Sequence, residues 1–254
     1  MADPIARALA AAGVVAPDLE AAALLRAARR DGRDIDELVH RRAAGEPFAW
    51  IVGRTTFCGI DVRVDPGVYV PRPQTEALAR RAVDVLPPDG VAIDLCTGSG
   101  AIAAVLRSHR PAARVSATDV DARAVACARS NGVDAISGDL DEPLPADLRS
   151  HADVLTAVVP YVPTEELHLL PRDVLAHEPR HALDGGEGGI ELLLRVIELA
   201  PRWLRPGGAL LLELGGDQAD LVGPALRVTF DDDIAVLRDE DGDVRGVEAH
   251  IAAS

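Results

Sequence analysis

The chain has 254 residues, 48% of them hydrophobic and 26% charged, enough apolar material for one sizeable core and a small satellite domain, so a wholly disordered chain is excluded. Acidic residues number 41 against 26 basic ones, a formal net charge of -15, and such a surface repels phosphate backbones, which argues against nucleic acid as the main partner. Cys58, Cys96 and Cys127 are odd in number and scattered, which excludes a disulfide framework and a cysteine zinc site and fits a reducing cytosol.

The opening residues, MADPIARALAAAGVVAPDLE, carry acids and a proline where a signal peptide has basic residues and an apolar core, and no apolar run is long enough to span a bilayer. A cytoplasmic protein with no membrane partner is expected. Residues 3 to about 45 read as short amphipathic helices, with Leu9, Leu19, Leu24, Leu25, Ile35 and Leu38 at helical spacing and breaks at Pro17 and Gly32. They form a helical cap over residues 1–46. From 47 to 70 the texture changes to β-branched and aromatic residues punctuated by Gly53, Gly59, Pro66 and Gly67, which predicts a strand pair acting as a connector.

Residues 71–254 form the third unit. A helix is expected near Pro73, followed by strand VAIDL, helix SGAIAAVLRSH, strand RVSATDV, helix DARAVACARSN and strand VDAIS. Such alternation means a doubly wound, mostly parallel α/β sheet, a Rossmann-like fold. A strand at 153–158, a proline- and glycine-rich loop, a helix at about 187–201, strand GALLLEL and helix QADLVGPAL continue it. RVTF and the stretch ending VEAHIA are expected to close the sheet as an antiparallel pair. Asp239, Glu240, Asp241 and Asp243 surround Gly242 as a solvated hairpin turn, because the glycine and terminal glutamate are not at calcium-loop positions.

The sharpest local signal is Asp94-Leu95-Cys96-Thr97-Gly98-Ser99-Gly100 at a strand-to-helix join, where glycine lets a ligand approach the backbone. Gly98-x-Gly100-x-x-Ala103 also satisfies the dinucleotide pattern, and Asp119 at the end of the next strand could hold a ribose in either case. Asp94 separates the two cofactors: a carboxylate ahead of the turn suits a cationic S-adenosylmethionine and would repel a pyrophosphate. His177-Glu178-Pro179-Arg180-His181 matches the zinc pattern H-E-x-x-H. Pro179 disfavours the continuous helix that chelation needs, so no metal is expected.

From about Arg41 onward the chain resembles the protein-(glutamine-N5) methyltransferases that modify peptide-chain release factors. The resemblance rests on RRAAGEPFAWIVG, FCGIDVRVDPGVYVPRPQTE, DLCTGSGAIA, HEPRHALDGGEGGI and LLLELGGDQ. It implies S-adenosylmethionine as cofactor. Asp94, Thr97, Gly98 and Gly100 would line its methionine end, and Asp119 would accept from both ribose hydroxyls, with Asp121 as the competing candidate for capping the next helix. Asp139 would receive the adenine amino group, Leu140 and Val120 would sandwich the ring, and Pro71, Arg72 and Thr75 would wall the pocket near the methyl group.

The family's Asn-Pro-Pro-Tyr is here Val158-Val159-Pro160-Tyr161. An amide nitrogen is a poor nucleophile that must be held and aimed, and Val158 offers no acceptor for its hydrogens. Val158, Pro160 and Tyr161 are therefore the acceptor-site candidates. Glutamine methylation of a release-factor-like protein, with an altered acceptor, is the reading the resemblance implies. A small-molecule acceptor for methyl transfer to oxygen, carbon or sulfur, another reaction of the sulfonium, and a non-catalytic cofactor-binding paralogue are the alternatives.

Overall fold

Apolar residues three and four apart make the amino-terminal region helical in the computed structural model, which describes residues 3–230, 233–239 and 241–253. Helix α1 (Pro4–Ala11) is capped by Asp3, whose side chain accepts from the Ile5 amide; α2 (Pro17–Asp31) ends at Gly32 with φ 64°; α3 (Ile35–Ala43) is capped by Asp34. Pro17 starts a helix rather than merely breaking one, since its missing N–H costs nothing at the first position. Leu9, Leu24 and Leu38 are fully buried together, whereas Leu19, expected on the same apolar face, is 75% exposed.

The expected connector contains its strand pair, but its first residues are a helix, α4 (Phe48–Val52), ended by Gly53 at φ 76°. Packing overrides β-propensity there: Ile51 and Val52 are buried, and Phe48 partly so, in the cluster formed by α1 to α3. The connector strands are therefore shorter, β1 (Arg54–Phe57) and β2 (Ile60–Arg63), an antiparallel pair with Phe57 opposite Ile60.

The main unit contains α5 (Glu76–Val85), β3 (Val91–Leu95), α6 (Ala101–His109), β4 (Arg114–Asp119), α7 (Ala122–Ser130), β5 (Asp134–Ser137) and β6 (Ala152–Ala157). It continues with α8 (Arg172–His177), α9 (Glu191–Leu199), β7 (Leu204–Glu213), α10 (Gln218–Phe230), β8 (Ile234–Arg238) and β9 (Val244–His250). The sheet order is β5-β4-β3-β6-β7-β9-β8, parallel through β7 and antiparallel for the last two pairings. Alternate residues of the central strands face opposite layers: Leu155, Leu210 and Leu212 pack with α9 and α10, while Val154 and Leu211 pack with α5 and α6. The strand order reverses between β3 and β6, and ligands of such sheets bind outside the carboxyl ends of the strands at that point.

RVTF, expected as a strand, is the last turn of α10. Pro224 lies within this helix without ending it, and Leu226 and Phe230, one turn apart, are both buried in the core. The strand that pairs with β9 is β8. Between them Asp239 accepts from the amides of Asp241 and Asp243, and Gly242 has φ 88°, the expected hairpin turn; Glu240 lies outside the described residues. Among the described residues no helix is long and apolar enough to cross a membrane.

Candidate functional site

A cavity of about 630 Å³ opens at the carboxyl ends of β3, β4 and β6, and a smaller one of about 40 Å³ adjoins it. Tyr69, Cys96, Gly98 and Val158 border both.

The turn between β3 and α6 is held by the Thr97 amide donating to Thr118 O and the Gly100 amide donating to Thr97 O. Gly98 (φ 58°) and Gly100 (φ 78°) serve different needs. A Cβ on Gly98 would meet no protein atom within 4 Å, because that side is the cavity, whereas a Cβ on Gly100 would come 2.9 Å from Ala128 Cβ in α7. Asp119 faces the large cavity; its two oxygens accept from the Gly98 amide at 2.8 Å and the Asp121 amide at 2.9 Å, and burial raises its pKa. Asp121 caps α7 by accepting from the Arg123 amide, the capping role for which the sequence made it a candidate.

Asp94 lies among the residues the resemblance grouped it with, Thr97 and Gly98. It is 2% exposed, borders the small cavity, and its oxygens accept from Thr97 Oγ1 at 2.5 Å and Thr156 Oγ1 at 2.6 Å. Burial pushes its pKa up to about 6. It is thus a brace for the glycine turn, with its charge directed through two hydroxyls. Thr75 and Ser99 also border the small cavity; among the described residues the buried Ser99 hydroxyl has no partner, and the Thr75 hydroxyl has none but the nearby Glu213 carboxylate. Val120 and Leu140 line the large cavity, as does Asp139, whose carboxylate pairs with Arg195 at 2.8 Å.

Strand β6 runs into Val158–Tyr161. Val158 stands where the two cavities meet, and Pro160 and Tyr161 line the larger. The Tyr161 hydroxyl donates to Glu213 Oε1 at 3.0 Å, and its carbonyl accepts from Gln218 Nε2 at 2.7 Å. Glu213 is 3% exposed, and burial raises its pKa. The glycines of DGGEGGI explain themselves here: a Cβ on Gly189 would lie 2.1 Å from Tyr161 O, and one on Gly185 2.7 Å from Pro160 O.

The segment after Tyr161, read from the sequence only as a proline- and glycine-rich loop, forms the far wall through Leu170, Pro171, Val174, Pro179 and Leu183. Its anchor is Glu178, which accepts from Arg72 Nη2 at 2.5 Å and from the Val70 amide at 3.3 Å. The signal for this contact was the presence of HEPRH and PRPQTE in one family pattern, although nothing in their spacing pairs them. Helix α8 stops at His177, Glu178 is extended, and His177 and His181 share no helix. Among the described residues no cluster of three histidine, cysteine or acidic side chains could hold a metal.

A family model described as the methyltransferase small domain matches residues 60–139. The chain is 38% identical over 228 residues to the release factor glutamine methyltransferase of Mycolicibacterium smegmatis, covering 81% of this chain and 80% of that protein. It is 39% identical over 243 residues to that of Moorella thermoacetica, covering 85% and 84%. Among solved structures, a T. thermophilus 16S rRNA methyltransferase in complex with AdoMet and guanosine aligns with a TM-score of 0.54 at 18% identity, covering 79% of this chain and 45% of that one. That likeness is one of fold.

Proposed function

The chain belongs to the release factor glutamine methyltransferase family and is an S-adenosylmethionine-dependent methyltransferase, and from this premise we propose how its two cavities divide the work. The large cavity takes the adenosine, the small one the methionine end, and Val158–Tyr161 meets a glutamine side chain of a release-factor-type protein. The observation that carries this reading is the shared border: Gly98 and Val158 bound both cavities, so one elongated ligand spanning them presents its middle to the acceptor segment.

The residues present fit that cofactor. A carboxylate has about four acceptor positions, so Asp119 keeps capacity for the ribose hydroxyls after serving two backbone amides. The unpartnered hydroxyl of Ser99 suits the polar amino-acid end, since a buried hydroxyl without a partner is costly. Val120 and Leu140 offer apolar surface to the purine, and Asp139 can share its carboxylate between Arg195 and an amino group. S-adenosylmethionine supplies an electrophilic methyl on a cationic sulfonium, and the acidic walls favour a cation.

At the acceptor end Pro160 and Tyr161 give shape, with Tyr161 fixed at its hydroxyl by Glu213 and at its carbonyl by Gln218. Val158 cannot hold an amide hydrogen. The chain therefore positions a glutamine amide but polarises it more weakly than relatives with an asparagine there. Incubating the protein with methyl-labelled cofactor and an intact release factor, followed by mass spectrometry, tests the reading: the label is expected on a glutamine side chain. Label on another residue type, or none while the cofactor binds, contradicts the proposed acceptor.

A further inference from the structure

Arg72 is the one arginine on the walls of either cavity among the described residues, and the chain has no lysine. Its guanidinium is fixed from two directions. The carbon Cζ lies 4.8 Å from the centroid of the Tyr69 ring, a cation–π contact, and Nη2 meets Glu178 Oε1. Glu178 is itself pinned, its side chain 1% exposed and its second oxygen accepting from the Val70 amide. A guanidinium carries five N–H donors in a rigid fork. Glu178 and the Tyr69 side chain engage part of this fork, leaving donors to spare, and the side chain remains 24% exposed on the cavity wall.

Resting on the acceptor reading above, we propose that Arg72 donates a hydrogen bond to a main-chain carbonyl of the peptide presenting the reacting side chain, with Glu178 as the positioning residue that aims it. The charges select this ligand. Asp119, Asp121 and Asp139 share the cavity walls, and Glu178 neutralises Arg72, so a carboxylate or phosphate would gain little net attraction. A neutral carbonyl oxygen needs only a directed donor. The reacting amide's own oxygen is unsuited, because a donor there draws the nitrogen lone pair further into the carbonyl and slows its attack. The surrounding wall, including Val158, Val159, Leu170 and Val174, is apolar, so a peptide carbonyl entering it would otherwise lose its water partners unreplaced.

The test is calorimetric binding of a glutamine-containing peptide to the full chain saturated with S-adenosylhomocysteine, with the affinity for S-adenosylhomocysteine measured beside it. Arg72→Met keeps the length and loses the donors. It is expected to weaken peptide binding about tenfold or more while leaving the affinity for S-adenosylhomocysteine within about twofold. Arg72→Lys, which keeps the charge but not the fork, should fall between. Glu178→Gln should weaken peptide binding in the parent chain and have no further effect in Arg72→Met, the non-additivity of a positioning residue. Unchanged peptide affinity in Arg72→Met overturns the proposal, as does parallel loss of both ligands in Arg72→Met and Arg72→Lys, which would mark a purely structural residue. If the parent chain binds S-adenosylhomocysteine but no peptide, the proposed acceptor falls together with this subsite, and the cofactor reading stands.

Discussion

The two ends of the cavity are built differently. At the end proposed for the cofactor most parts are close in sequence: the 96–100 turn, the aspartate ending β4 and the residues just after β5 supply backbone amides, carboxylates and short apolar walls. At the end proposed for the acceptor the parts come from four separate stretches, with Arg72 and Tyr69 ahead of α5, Val158–Tyr161 after β6, the segment reaching Glu178, and Glu213 and Gln218 around the end of β7. A wall built from the carboxyl ends of neighbouring parallel strands is fixed largely by local turns and leaves little room to vary. A site assembled from distant loops can change its chemistry one residue at a time, which is the role proposed for Val158.

The largest effect expected from breaking the cofactor end alone is that of Asp119→Ala. If its carboxylate holds both ribose hydroxyls, two charge-assisted hydrogen bonds of roughly 1.5–3 kcal/mol each are lost, and calorimetry should show affinity for S-adenosylmethionine and S-adenosylhomocysteine falling about a hundredfold or more. Unchanged affinity would remove the ribose assignment.

A smaller effect sharpens the boundary between the two ends. Asp94, with its pKa pushed up to about 6 by burial, is ionised above that pH and neutral below it. Affinity for the cationic S-adenosylmethionine should therefore weaken by about threefold, relative to S-adenosylhomocysteine, as pH falls from about 7.5 to about 5. In Asp94→Asn the ratio should be flat. Fold stability runs the other way: a raised carboxylate pKa favours the folded state below the ordinary carboxylate value, and that contribution is lost as pH rises through about 6. A melting-temperature advantage of Asp94→Asn over the parent should accordingly be greater at pH 7.5 than at pH 5. A flat affinity ratio in the parent would mean that the charge of Asp94 does not reach the ligand.

What the sequence made legible follows the same division. The strand–helix alternation, the glycine turn and Asp121 as a helix cap depend on neighbours a few residues away, and the structure places them as read. RVTF was misread as a strand because β-branched composition speaks for a strand locally, while Phe230 is buried in the core by elements far along the chain. That Asp94 is held by Thr156 was not legible beside the glycine turn, because the two residues are 62 positions apart. Glu178 meets Arg72 across 106 residues, a distance over which no periodicity or spacing rule operates.

The central claim is that this methyltransferase keeps the cofactor end of its family and weakens the amide-holding end at Val158. The direct measurement is the single-turnover rate of methyl transfer to a short glutamine-containing peptide, for the parent chain and for Val158→Asn combined with Val159→Pro. A positioned polar group at such a site is worth about 3–4 kcal/mol, so the account predicts a gain of two to three powers of ten at unchanged cofactor affinity. A parent chain that methylates the peptide at a rate the double variant does not improve would contradict it.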